Sequence, residues 1–380
     1  MAVKVLCVAG ARPNFIKIAP LMRALRANPR WDARLVHTGQ HYDAIMSKIF
    51  FDDLKIPRPD IELEVGSGTH AVQTAEIMRR FEPVLEAEQP QAVIVVGDVN
   101  STIACALVVA KFVLREPFAC KRGTRRRPIM VHVEAGLRSF DDDMPEEVNR
   151  KLTDAISDLL FVSDPAGLDN LRKEGVPEAK VVFVGNVMID TLLAAREQAM
   201  QSAILDKLGL GGRPYGLLTL HRPSNVDEPK TLAALLGAID ETTRRLAPMV
   251  FPVHPSTQSR MKDAGIALDP ARWILCDPIG YLDFLKLTAC AKVVLTDSGG
   301  IQEETTVLGV PCVTLRENTE RPVTIHEGSN LLAGTTRQGI LGAFAKAMAQ
   351  SASGEKRVPR FWDGRSAERI DAALAGIFAP

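Results

Sequence analysis

VKVLCVAGARPNFIKIAP, residues 3–20, begins as an apolar run of strand length, breaks at Gly10 and resumes with Pro13 placed for the first turn of a helix. The run is apolar on both of its faces. A strand of that kind is buried on both sides, which is the signature of a parallel sheet covered by helices rather than of a half-exposed antiparallel one. The same unit recurs down the chain. ARLVHTG (33–39), QAVIVVGD (91–98), IMVHVEAG (129–136), DLLFVSD (158–164) and KVVFVGN (180–186) all read as strands that end in polar or glycine-rich turns, with helical patterns between them.

A glycine-rich break, LGLGGRPYG at 208–216, follows, and the alternation restarts with YGLLTLH, MVFPVH, RWILCDP, AKVVLTDSGG and VPCVTL. The pattern predicts an α/β chain of two Rossmann-like, doubly wound domains with a cleft between them. Their expected limits are 1–186 and 187–360. SAERIDAALAGIF predicts a last helix within 361–380 that could pack on either lobe.

Bulk properties narrow the classes of function. At 380 residues the chain is too long for one ordinary core. Lys plus Arg and Asp plus Glu number 46 each, so nothing in the charge points to nucleic acid. No apolar run approaches the roughly 18 residues of a membrane span, and the first residues lack the form of a signal peptide. Six scattered cysteines without a CxxC pair predict buried thiols in a reducing cytoplasm. CKRGTRRRP, within the basic segment 115–128, reads as a solvated insertion loop.

In open parallel sheets ligands bind beyond the carboxyl ends of the strands, where helix N-termini collect. The polar residues at those ends are Arg12 and Lys17, Gln40 and His41, Asp98, Glu134, His221, His254, and Ser298 to Gly300. Arg12 and Lys17 form either an anion site or a surface pair; the stretch is neither a P-loop nor a dinucleotide fingerprint. His221 is open to a structural or a functional reading. In TDSGGIQEE, backbone amides at Ser298, Gly299 and Gly300 would suit phosphates while one glutamate accepts sugar hydroxyls, a pairing that fits a nucleoside diphosphate sugar. His132 and Glu134 lack the companions of any zinc motif, so no metal is expected. In VEAGLRSFDDDMPEEVNR (133–150), Pro145, Glu146 and Glu147 have the composition of a helix first turn, and the aspartates read as its solvated approach. Glu134 ends an apolar strand, where a buried carboxylate requires a partner or a task.

GARPNFIKIAP, HTGQH, GDVNST, HVEAGLRSF, MPEEVNR, GNVMIDTLL, PVHP, LTDSGGIQEE and TERPVT, in this order and spacing, resemble the non-hydrolysing UDP-N-acetylglucosamine 2-epimerases. The resemblance implies a GT-B-like pair of lobes, a cytoplasmic homodimer and interconversion of UDP-GlcNAc and UDP-ManNAc without a cofactor. It implies Asp98, Glu134 and Glu146 as acid and base residues, and His221, Arg12 and Lys17 around the leaving diphosphate. Ser298, Gly299, Gly300, Glu304 and Arg321 fall at UDP-binding positions and Phe284 near the uracil; Gln40, His41 and His254 are possible regulatory positions. Members specific for UDP-GlcNAc often carry Glu-Ala where this chain has Asn14-Phe15. The RPNFIK form is similar to relatives acting on UDP-2,3-diacetamido uronic acids. A hydrolysing relative and a GT-B glycosyltransferase are the remaining alternatives.

Overall fold

The computed structural model describes residues 2–40, 53–244, 246, 248–353 and 358–378; the side chains of Arg12 and of residues 351–353 are outside that description. The chain divides into two compact units, residues 1–194 with 360–380, and residues 195–359.

In the first unit, β1 (Val3–Ala9) leads into α1 (Arg12–Ala27), followed by β2 (Trp31–His37), β3 (Ile61–Glu62), α2 (His70–Glu88), β4 (Ala92–Val96) and α3 (Asn100–Lys111). A hairpin, β5 (Phe118–Cys120) and β6 (Gly123–Arg125), precedes β7 (Ile129–Ala135), α4 (Pro145–Ile156), β8 (Leu159–Val162), α5 (Pro165–Lys173), β9 (Val181–Phe183) and α6 (Val187–Met200). The described strands other than the hairpin form one sheet, ordered β3-β2-β1-β4-β7-β8-β9, and all its pairs are parallel. Every residue of β4 and β7 is buried, as the two-faced apolar pattern requires. The chain winds outward from β1 to β3 and returns to β4 on the other side, so the strand order reverses between β1 and β4. That reversal opens a crevice at the carboxyl ends of these two strands.

The second unit repeats the plan. It runs through α7 (Ile204–Lys207), β10 (Gly216–Thr219), α8 (Pro223–Val226), α9 (Pro229–Thr242), β11 (Met249–Pro252), α10 (Pro255–Asp263), β12 (Trp273–Cys276) and α11 (Tyr281–Cys290). It continues with β13 (Val293–Thr296), α12 (Gly299–Leu308), β14 (Cys312–Thr314), α13 (Val323–His326), β15 (Asn330–Leu332) and α14 (Arg337–Ser353). Its parallel sheet is ordered β12-β11-β10-β13-β14-β15, with the reversal between β10 and β13. Leu218, Leu235, Phe251, Leu295 and Ile340 are among the buried side chains packed in its core.

The final helix, α15 (Ser366–Ile377), belongs to the first unit. Asp190 of α6 accepts from the amides of Ser366 and Ala367 at 3.1 and 2.7 Å, which satisfies two first-turn donors. Burial pushes the Asp190 carboxyl above its usual range, and these amide bonds oppose the shift. Midway along the helix, Asp371 accepts from Asn28 at 3.0 Å.

One sequence expectation is refined and one corrected here. The basic segment is exposed over most of its length, as expected, but it forms the β5–β6 hairpin rather than an irregular loop, and its arginines fasten that hairpin to the sheet. Arg125 and Arg127 reach Asp158 Oδ1 at 3.0 and 3.1 Å, and Arg122 donates to the carbonyls of Asp158 and Ala179 at 2.6 and 2.8 Å. The thiols are also not uniformly buried. Cys7, Cys105 and Cys312 are enclosed, with burial pushing Cys7 and Cys312 up to about 12, whereas Cys290 is exposed. Among the described residues no helix is long and apolar enough to cross a membrane.

Candidate active site

At the β1–β4 reversal, Asn14 ties the first turn of α1 to the neighbouring strand. Its Oδ1 accepts from the amides of Gly10 and Ala11 at 3.1 and 3.0 Å, and its Nδ2 donates to the Val96 carbonyl at 2.9 Å. A carboxylate here could accept the first two bonds but could not make the third. Gly10 is required by close approach, since a Cβ there would overlap Ser101 and Thr38.

One turn along α1, the buried Lys17 forms an ion pair with the buried Glu134. Glu134 has φ +73°, and the β7–β8 register shifts between Val133 and Ala135. A left-handed conformation costs a residue with a side chain roughly 1–2 kcal/mol, and a bulge of this kind re-aims the side chain at the end of a strand. Simple alternation therefore stops at residue 133. His132, placed by alternation on the same face as Glu134, is fully buried, with Nδ1 at 2.7 Å from Asp154 and Nε2 at 2.8 Å from the Gly97 carbonyl. Asp154 also accepts from the Gly136 amide at 3.0 Å and pairs with Arg138 at 2.7 Å. Burial raises the Asp154 carboxyl, but His132 and Arg138 outweigh it and hold the group below the usual range. The turns after β4 and β7 are thereby fixed to each other through one imidazole.

Asp98 follows Gly97, which has φ +67° and lies so close to Lys17 that a Cβ would come within 2.8 Å of Nζ. Arg150 holds Asp98 Oδ2 through Nε at 2.9 Å and Nη2 at 2.7 Å, and reaches Glu147 Oε2 with Nη1 at 2.6 Å. The Asp98 side chain remains 21% exposed. Glu147 accepts from the amides of Ser139 and Phe140 at 2.9 and 3.2 Å. Glu147 lies in the first turn of α4, as its composition predicts, and it is fully buried, where it clamps the loop that leads into the helix. Glu146 is half-buried, and among the described residues it makes no hydrogen bond or ion pair. Gln40 is committed internally, accepting from the amide and hydroxyl of Ser101 at 3.0 and 2.7 Å. His41 lies outside the described residues, as does the side chain of Arg12.

At the β10–β13 reversal, His221 ends its strand with a side chain 60% exposed and Nδ1 at 2.7 Å from the buried Asp297. Ser298 is the N-cap of α12, and its amide donates to Thr296 Oγ1 at 3.0 Å. Gly299 and Gly300 then supply first-turn amides, which point along the positive end of the helix dipole. A Cβ on Gly299 would fall 2.7 Å from Glu320 Oε1, so any larger residue there would have to push that carboxylate aside. Glu320 in turn pairs with Arg316 at 2.8 Å, with Arg222 at 3.5 Å and with Arg321 at 3.7 Å.

Arg321 Nε also reaches Glu303 at 2.7 Å, while Glu304 accepts from Tyr281 Oη at 3.2 Å. Burial, then the Glu304 charge, pushes the Tyr281 phenol well up. Phe284 is partly buried against the apolar cluster containing Tyr215 and Leu287. His254 caps α10, accepting from the Ser256 amide at 3.3 Å.

The structure thus brings Lys17, Asp98, Glu134 and Gln40 to the strand ends of the first unit, and His221, Ser298, Gly299 and Gly300 to those of the second. Sequence reasoning passed over Asp154, Arg150, Asp297 and Glu320. Asp297 had a readable signal, a carboxylate directly after an apolar strand. Asp154 meets His132 and Arg150 meets Asp98 across segments distant in sequence, and no local pattern marks those contacts.

Two parallel, doubly wound units, each with ionisable groups gathered where its strand order reverses, define an α/β enzyme of the GT-B-like class. The family model for UDP-N-acetylglucosamine 2-epimerase matches residues 23–375. The chain is 39% identical to a UDP-N-acetylglucosamine 2-epimerase of Methanocaldococcus jannaschii, covering 97% of each. It is 38% identical to a UDP-2,3-diacetamido-2,3-dideoxy-D-glucuronate 2-epimerase of Pseudomonas aeruginosa, covering 98% of this chain and all of the relative. The crystal structure of the M. jannaschii enzyme in complex with UDP-GlcNAc and UDP superposes with a TM-score of 0.86, at 38% identity over 98% of this chain and 99% of that one. The chain belongs to the UDP-N-acetylglucosamine 2-epimerase family.

Proposed function

We propose that the chain interconverts UDP-GlcNAc and UDP-ManNAc without a cofactor, by elimination and re-addition of UDP. The C2 hydrogen of such a sugar is not acidic enough for simple exchange, so epimerisation needs either oxidation of a neighbouring carbon or loss of a leaving group. In the elimination, a carboxylate takes the C2 proton, the C1–O bond breaks with its electron pair passing to UDP, and 2-acetamidoglucal forms. UDP oxygen then adds to C1 while a proton is delivered to C2 from the other face, so the sequence involves no net oxidation.

Proton transfer is assigned to Glu134, Asp98 and Glu146 in the first unit, and diphosphate binding to His221 and the Ser298–Gly300 turn in the second. Arg12, Phe284, Glu304 and Arg321 are assigned to UDP-sugar binding on the family resemblance. The observation that carries the reading is the Lys17–Glu134 pair on a bulged strand end, a carboxylate kept at left-handed φ in a buried setting. The family resemblance supports a cytoplasmic homodimer.

A second substrate, UDP-2,3-diacetamido-2,3-dideoxyglucuronate, is favoured by Asn14-Phe15 and by the similarity to the P. aeruginosa enzyme. Proton NMR of UDP-GlcNAc with the enzyme in D2O tests the main reading. Deuterium at C2 together with UDP-ManNAc is the expected result. An unchanged sugar with its C2 proton intact would eliminate that substrate, and exchange on the diacetamido uronate under the same conditions would establish the second.

A further inference from the structure

We infer that Asp297 is a positioning residue of the second unit: it fixes His221 with a hydrogen on Nδ1 and presents Nε2 to the diphosphate of the bound nucleotide sugar. The ligand's identity rests on the function proposed above; the orientation of the imidazole does not.

Asp297 is fully buried, yet each polar group that meets its carboxylate among the described residues is a donor. The amide of His221 reaches Oδ1 and Oδ2 at 3.1 and 3.0 Å, the amide of Arg222 reaches Oδ2 at 3.0 Å, and Asn225 Nδ2 reaches Oδ2 at 3.1 Å. His221 Nδ1 completes the set at 2.7 Å. Burial acts to raise this carboxyl, but His221 and the two backbone amides overcome it and leave the group below its usual range. A carboxylate so placed has no hydrogen to give, so the bond to Nδ1 requires the hydrogen to be on the imidazole.

The ring itself is mostly exposed, and Nε2 makes no hydrogen bond among the described residues. An exposed histidine gains little from packing and would otherwise sample several rotamers. Here one edge is anchored to a buried anion and the other is left for a ligand, which is the arrangement by which a third group orients an acid or base. The turn that holds Asp297 is the same one that supplies the Gly299 and Gly300 amides, so imidazole and helix N-terminus are set on one rigid segment. In the imidazolium form, with a hydrogen on each nitrogen, Nδ1 keeps its bond to Asp297 while Nε2 donates to the phosphate oxygen that gains charge as the C1–O bond breaks.

The test uses the full chain with 15N-labelled histidine, the His221 signals being assigned by their loss in His221→Gln. In the wild type, roughly two units above the ordinary imidazole value, His221 should carry its hydrogen on Nδ1. In Asp297→Asn the side-chain oxygen is drawn to the two backbone amides and the NH2 faces Nδ1, so the hydrogen should move to Nε2. Turnover should fall about a hundredfold with UDP affinity changed less than about twofold.

In the His221→Gln background, Asp297→Asn should cost less than about threefold more, because its effect passes through the imidazole. A purely structural role would give the same loss in both backgrounds and overturn the inference. So would a wild-type His221 with its hydrogen on Nε2, or an unchanged tautomer in Asp297→Asn. If Asp297→Asn does not fold, the wild-type tautomer alone still decides. If the wild-type chain leaves both nucleotide sugars unaltered, the proposed reaction fails, while the tautomer measurement continues to support or refute the role of Asp297.

Discussion

Glu146 and Glu147 are adjacent in sequence and opposite in circumstance. Glu147 is enclosed, paired with Arg150 and bonded to two loop amides, so its loss leaves a buried guanidinium partly uncompensated. Glu147→Gln should destabilise the first unit by about 3 kcal/mol, read as a lower midpoint in urea unfolding. Glu146→Gln should shift stability by less than about 0.5 kcal/mol, as expected for a half-buried group with no polar partner among the described residues. Its effect should fall on turnover instead, since it is one of the proposed acids. Equal unfolding midpoints for the two variants would contradict this division. Composition made both glutamates legible as first-turn acids of α4. Their separation into a clamp and a reachable carboxylate depends on Arg150, Ser139 and Phe140, which only the folded loop brings together.

At the scale of elements, the β5–β6 hairpin shows how charge can be misread. A run of arginines suggests a surface seeking anions, but here the guanidinium groups are taken up by Asp158 and by carbonyls at the edges of neighbouring elements. Asp158 Oδ2 also accepts from the Met130 amide at 3.0 Å, so the same carboxylate anchors the start of β7. Asp158→Asn should lower stability by about 1–3 kcal/mol while leaving the KM for the nucleotide sugar unchanged. A raised KM with intact stability would return the basic segment to a role in attracting substrate. The strands themselves were legible because two-faced apolar runs have few other uses. The bulge at Glu134 was not, because period-two alternation carries no sign of where it will fail.

For the molecule as a whole, the doubling of the fold was readable from the restart of the strand pattern after the glycine-rich break. The strand ends named a useful set of residues because parallel winding forces polar groups to those ends. What the pattern could not supply was the pairing of buried groups across distant segments, Asp154 with His132, Arg150 with Asp98 and Glu320 with Arg222. The placement of the last helix was similarly open, as an amphipathic helix fits any apolar groove of suitable size. In the structure its first turn is bonded to Asp190 and its body to Asn28. A chain ending at residue 359 should therefore lose the cooperative unfolding transition of the first unit while the second melts as before. Retention of both transitions would show that α15 is dispensable.

That placement has a consequence for the order in which the protein assembles during synthesis. Residues 195–359 are contiguous, so the second unit can close as soon as it has left the ribosome. The first unit is interrupted: its sheet emerges early, but α15, which packs against α1, is translated only after the second unit. For the time needed to make the intervening residues, the nascent first unit must wait with that face of α1 open to water, and chaperone dependence should concentrate in this interval.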